Sequence, residues 1–240
     1  MKYIPLKYIR EDPTVGSADS GEDAREQTGM LERLVADLRA RLAELSPGAE
    51  PLRRADLLLQ LGRALVRLEK HADAWAAARQ AFDDYLAEQA WEGAGQACDI
   101  LFLADQPQSL AALGQGIWLA VTYPVDPELS VALLQRVVEE TPPDADGAAV
   151  AAVTAYYLVD IRAVEPQREH LLLYANQVLA TVARRHSAVD GQQSFNQWIE
   201  HMELNDPARF LPRLRNVVDV LVQDDLWFDR DALQAALPAS

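Results

Sequence analysis

The sequence predicts an all-α protein of stacked antiparallel helical hairpins, about ten helices in all, and three observations carry that prediction. Apolar residues recur at spacings of three and four along most of the chain. Proline, glycine and aspartate interrupt that rhythm every 14 to 20 residues or so, about the length of a short helix. No stretch shows the apolar–polar alternation between turn signals that a strand requires.

Residues 1–29 read as an arm and linker ahead of a helical domain over 30–240. The tip Tyr3-Ile4-Pro5-Leu6 with Tyr8-Ile9 is apolar and is expected to dock, on its own fold or on a partner. Residues 11–29 are rich in Gly, Ser and acid and read as a flexible linker, because they hold almost nothing to bury. The first helix is expected from Met30, with Leu31, Leu34, Val35, Leu38, Leu42 and Leu45 on one face and Ser46-Pro47-Gly48 as its stop. Helices over about 52–68 and 72–88 follow as a hairpin, striped by Leu58, Leu61, Leu65 and Leu68 and by Ala74, Ala78, Ala81, Phe82 and Tyr85. The next two span about 90–103 and 108–122, ended by Asp105-Gln106-Pro107 and Tyr123-Pro124. Asp126-Pro127, an N-cap with proline in the first turn, opens a helix that Thr141-Pro142-Pro143 closes. Further helices cover about 145–163, 166–186 and 190–204; Asp206-Pro207 opens another to Val222, and Asp229 caps a short last one.

Composition narrows the function. The chain is 50% hydrophobic and 25% charged, ordinary for a folded domain of 240 residues. Cys98 is the only cysteine, so no internal disulfide forms and a reducing cytoplasm is expected. The N-terminus lacks the apolar run and cleavage site of a signal peptide, and no window approaches the ~18 apolar residues of a membrane span. With 22 Lys plus Arg against 37 Asp plus Glu, the net charge of -15 repels nucleic acid and anionic lipid. A basic protein or peptide partner is favoured, although solubility alone explains an acidic surface.

The residues that carry chemistry lack the spacing chemistry needs. His71, His170, His186 and His201 never pair at the four-residue helical spacing of a zinc site and read as isolated surface histidines; Glu200-His201 point to different faces. Asp144-Ala145-Asp146-Gly147 lacks the later ligands of a calcium loop and reads as a helix start, as Asp224-Asp225 with Asp229 and Asp231 read as solvated caps. Cys98 lies inside a helix as a small buried hydrophobe. Gly93, Gly95, Gly114 and Gly116 fall inside helices with no preceding strand, so no phosphate loop is expected. No metal, cofactor or catalytic residue is expected. Trp75, Trp91, Trp118, Trp198 and Trp227 are many for the length and are expected in the core.

Residues 55–88 place Leu61-Gly62 midway along one helix, Glu69-Lys70-His71 at the turn and Ala74, Ala78 and Ala81 along the next, small residues that let two helices cross closely. This resembles one tetratricopeptide repeat. The unit over 88–121 keeps Trp91 and Gly95 at the family's aromatic and glycine places, but Pro107 falls where its second helix carries a small packing residue. The resemblance therefore covers about 55–121, and it implies a curved α-solenoid scaffold that grips a peptide. On that alignment the concave face carries Asp56, Leu59, Arg63 and Val66 in one unit and Gln89, Glu92, Gln96 and Asp99 in the next. Glu92 and Asp99 outweigh Arg63, which suits a client segment with Lys or Arg beside an apolar residue.

The expected function is a non-catalytic protein-interaction scaffold, adaptor or assembly chaperone, with homo-oligomerisation open. The alternative is a helical enzyme subunit or small-molecule-binding protein with an aromatic pocket around Trp91, Trp118 and Tyr157. Leu226-Trp227-Phe228 is expected either to plug the end of the stack or to stand exposed as an anchor.

Overall fold

A computed structural model describes residues 7–9, 21–45, 50–223, 225–235 and 237, and these form eleven helices and no strand. The N-terminal helix α1 (Gly21–Glu44) is followed by α2 (Pro51–Arg67), α3 (His71–Ala87), α4 (Trp91–Leu103), α5 (Ser109–Thr122) and α6 (Pro127–Glu140). The second half holds α7 (Asp146–Arg162), α8 (Gln167–Ser187), α9 (Gln192–His201), α10 (Pro207–Val222) and the single turn-and-a-half α11 (Arg230–Ala235). Most boundaries fall within a few residues of the sequence expectation. The difference is α1, which begins at Gly21 rather than Met30, so 21–29 extend a helix where a linker is expected. Residues 1–6 and 10–20, the rest of that arm and linker, lie outside the described residues.

Capping and turn chemistry set the ends. Asp126 and Asp206 accept the N–H of Glu128 at 2.8 Å and of Ala208 at 2.9 Å, each with proline at the first helical position, and Asp229 accepts from Ala232 at 3.0 Å. The C-termini of α2, α3 and α9 close alike. In α2 the N–H of Lys70 donates to Leu65 O at 2.9 Å and that of Glu69 to Val66 O at 3.0 Å. The pairs Ala90–Tyr85 with Gln89–Leu86, and Leu204–Ile199 with Glu203–Glu200, repeat the pattern. These are Schellman turns, and Glu69, Gln89 and Glu203 hold their left-handed position with φ of 56°, 55° and 52°. After α2 and α3 this turn reverses the chain within three residues, so that α2, α3 and α4 pack as successive neighbours.

Successive helices pack in order from α1 to α9, and the even-numbered α2, α4, α6 and α8 also touch one another as one layer. The intervening α3, α5 and α7 form the second layer. Gly62 sits where α2, α3 and α4 meet: a Cβ there would lie 3.6 Å from Ala78 Cβ and 3.1 Å from Ile100 Cγ2. A third layer covers the second. Helix α10 turns back onto both α5 and α7, and Gln115 of α5, fully buried, donates to the carbonyl of Asp225 at 2.7 Å.

That returning segment sets Trp227 and Phe228 into a ladder of rings. Trp91 stacks on Tyr123 at 4.0 Å, Tyr123 meets Trp118, Trp118 meets Phe228, and Phe82 touches both Phe228 and Trp227. Trp227 ends edge-on to Trp75 at 6.1 Å. The tripeptide thus lies over α3 and α5 in the middle of the chain rather than across its last helix.

Candidate functional site

Helix α2 buries Leu57, Leu58, Leu59, Leu61 and Leu65 and leaves Arg53, Asp56, Gln60, Arg63 and Arg67 exposed, a stripe at three- and four-residue spacing. Beside it, α4 offers Glu92, Gln96 and Asp99, and α6 adds Glu128 in its first turn and Arg136 farther along. Across these three helices lies a piece of the chain's own N-terminus. Tyr8 donates its backbone N–H to Glu128 Oε1 at 2.6 Å, its hydroxyl accepts from Gln96 Nε2 at 2.8 Å, and Ile9 is buried. Burial first, then the charge of Glu92, pushes the Tyr8 hydroxyl up to about 12, so it is neutral at physiological pH.

Glu128 is the unusual member of this set. It is 1% exposed, and among the described residues its other oxygen accepts from Gln167 Nε2 at 3.0 Å. Sealing a carboxylate in a core is costly unless donors meet it, and here one donor is a main-chain N–H from 120 residues away. The first turn of α6 favours a negative charge at that point.

Next to Tyr8 a cavity of about 390 Å³ opens, lined by Lys7, Arg63, Arg67, Arg136 and Asp99 over an apolar floor that includes Ile100 and Leu103. The charge balance there differs from the sequence expectation. Asp99 faces Arg136 Nε at 3.6 Å and both are largely buried, so this acid is engaged within the wall. Arg63 donates to the amide oxygen of Gln96, whose nitrogen serves Tyr8 and, at 3.2 Å, Glu92. The centre of the groove is basic, in a chain whose net charge is -15.

Of the residues the repeat alignment places on the concave face, Arg63, Val66, Glu92, Gln96 and Asp99 gather around the arm. Leu59 does not: it is 5% exposed and belongs to the core. Asp56 accepts from the hydroxyl of Tyr85, tying α2 to α3, and burial together with that bond pushes the Tyr85 hydroxyl far up. Gln89 occupies the left-handed position of the α3–α4 turn. Trp227 lies in the ring ladder, half-buried, with the Arg79 guanidinium 4.4 Å from its ring centre. Glu128, Arg67 and Arg136 are the members that sequence reasoning missed.

A second cavity, about 480 Å³, lies between α7, α8, α9 and α10, with Tyr156, Tyr157, Phe195 and Phe210 in its walls and Asp160 and Glu200 at its rim. Tyr157 is thus in an aromatic pocket, whereas Trp91 and Trp118, expected beside it, lie in the ring ladder, and Trp118 also lines a separate cavity of about 190 Å³ between α5, α10 and α11. His186 also departs from expectation: its ring is 12% exposed, 3.2 Å from Asp146 Oδ1, with Trp198 Nε1 at 3.3 Å from Nδ1. Cys98 is wholly buried, and burial pushes its thiol far above the ordinary range. Among the described residues no three His, Cys, Asp or Glu side chains are grouped to hold a metal ion, and no helix is long and apolar enough to cross a membrane. Comparisons with protein-family models, curated proteins and solved structures find no match.

Proposed function

We propose that this protein is a non-catalytic scaffold, of the adaptor or assembly-chaperone kind, that holds a short segment of another protein against α2, α4 and α6. One observation carries the reading: the groove already holds such a segment, the chain's own Tyr8-Ile9, through a main-chain hydrogen bond, a hydroxyl hydrogen bond and a buried aliphatic side chain. Stacked helical hairpins present extended concave surfaces of this type, and the tetratricopeptide-like spacing of residues 55–121 supports the same use. Glu128 supplies affinity for backbone, while Gln96 and the pocket for Ile9 select side chains.

Site-specific photo-cross-linking in the native host tests this. A benzoylphenylalanine in place of Leu103, on the groove wall, is expected to capture one partner through one continuous segment; the same probe in place of Val220, exposed on α10, is expected to capture none. Glu128→Ala is expected to lower the Leu103 yield about tenfold, the worth of one charge-assisted hydrogen bond. Equal yields from both positions, or no loss in Glu128→Ala, overturn the proposal. The aromatic cavity beside Tyr157 supports a second reading, a small-molecule-binding protein, which a stoichiometric co-purified ligand in native mass spectrometry would favour.

A further inference from the structure

We infer that the basic cavity beside Tyr8 seats a carboxylate of the bound segment, so that the groove's partner carries an acidic residue followed by Tyr and an aliphatic residue. On this view the chain's own Lys7-Tyr8-Ile9 is a weaker stand-in. The inference rests on the segment-holding reading and names the chemistry of the segment.

Each position of the arm meets a distinct group. The aliphatic place is the buried site of Ile9, and the Tyr place is set by Gln96 at the hydroxyl and Glu128 at the backbone N–H. The place before Tyr opens into the cavity walled by Arg63, Arg67 and Arg136, and there the arm puts Lys7, a fourth cation. Two positions of the arm therefore agree with the groove, and the third disagrees in charge. Asp99 and Glu139 are both already set against Arg136, so Arg63 and Arg67 are the guanidiniums left to meet a carboxylate. An Asp or Glu in place of Lys7 reverses the sign of every interaction with the three guanidiniums, whose planar donor forks match a carboxylate.

The surrounding field sharpens the choice. Over a surface of net charge -15, an acidic segment is repelled everywhere except at such a basic recess, which fixes its register more than it raises its affinity. A dianionic phosphate is less suited, because Asp99 in the wall and Glu92 beside Gln96 oppose a second negative charge. The mismatch at Lys7 also explains how an arm tied to its own groove can yield. A short tether supplies an effective concentration of about millimolar, enough to hold a poorly matched segment in place until a better-matched one displaces it.

The test uses two fluorescein-labelled peptides of six residues, Pro5–Arg10 as it stands and the same with Lys7→Glu; this stretch omits the second copy of the motif, Lys2-Tyr3-Ile4. Both are titrated by anisotropy with the full-length Tyr8→Ala variant, whose arm loses the Gln96 hydrogen bond and is expected to release the groove, and with the parent chain. The Glu peptide is expected to bind the variant about tenfold more tightly than the Lys peptide, and to lose that advantage in about 0.5 M salt. Arg63→Glu with Arg67→Glu is expected to reverse the preference. Equal affinities, or a Glu advantage that survives the double arginine change, overturn the carboxylate assignment and leave the groove standing. Displacement of the Glu peptide by inorganic phosphate alone overturns it in favour of a phosphate site. Failure of both peptides to bind overturns the groove itself. If Tyr8→Ala does not fold, the parent chain is expected to keep the same ranking, with both peptides weakened by the tethered arm.

Discussion

Helices α2 and α7 are each 17 residues long and the sequence places both within a residue at each end, yet only in α2 does it also show which side faces out. In α2 the exposed residues Arg53, Asp56, Gln60, Arg63 and Arg67 form a stripe, and the buried ones fill the remaining sides. In α7 every residue from Ala148 to Ala155 is buried, without a polar face. The difference is coverage. Helix α2 leaves one side open as the groove, whereas α7 is enclosed by α6, α8 and α10 together. A helix covered on all sides reads as apolar all round and loses its period. The tetratricopeptide-like pattern fades past Tyr123 while the hairpins continue, because the third layer changes what α5 and α7 must bury.

If the third layer is a structural cover, breaking it carries the largest cost. Trp227→Ala removes a half-buried ring that meets Trp75, Phe82 and the Arg79 guanidinium. The loss is expected to be about 3 kcal/mol, the low end for deleting a buried large aromatic. The melting temperature is expected to fall equally at every protein concentration, as measured by calorimetry over a dilution series. A variant that melts like the parent but associates more weakly would make Trp227 an anchor instead.

A smaller cost is expected at the seat of α10. A Cβ on Gly114 would fall 2.5 Å from Val222 Cγ2 and 3.3 Å from the carbonyl oxygen of Val218, so α10 must shift to admit it. Gly114→Ala is expected to lose about 2 kcal/mol by overpacking. Amide exchange is expected to quicken in α10 while α2 and α4 keep their protection. Uniform loss of protection along the chain would instead join the two regions into one cooperative unit.

The same contrast decides how much of the site was readable. Arg63, Val66, Glu92, Gln96 and Asp99 lie on helices whose stripes are intact, and three-and-four spacing is enough to bring them to one face. Arg136 lies on α6, past the point where the repeat can be aligned, so nothing in the pattern marks it. Glu128 is hidden differently. After Asp126-Pro127, an acid in the first turn is explained by the helix dipole alone, and its second role depends on a contact with Tyr8 that no local pattern encodes. Leu59 was misplaced because Leu57, Leu58 and Leu59 are all buried, more than a single stripe accounts for. The α1 boundary was missed because residues 21–29 have little to bury, whereas helix formation there needs only backbone propensity and the anchoring of the turns that follow.

The smallest expected effect tests the feature that the two regions share. Gln89 closes the α3–α4 turn and Glu203 the turn after α9, each in the left-handed conformation and each within a Schellman pair of hydrogen bonds. A side chain at that position costs roughly 1 kcal/mol against the following carbonyl, a penalty glycine avoids. Glycine also gives the unfolded chain more freedom, which offsets about half of that gain. Gln89→Gly and Glu203→Gly are each expected to stabilise the fold by about 0.5 kcal/mol, a rise of roughly 1–2 °C in melting temperature for a chain of this size. Equal gains at both sites would mean that turn chemistry is common to the whole stack and only the covered faces differ. A gain at Glu203 with a loss at Gln89 would mean that the Gln89 side chain has a use of its own. Weaker cross-linking from Leu103 in Gln89→Gly would locate that use in the groove, where the repeat spacing places it.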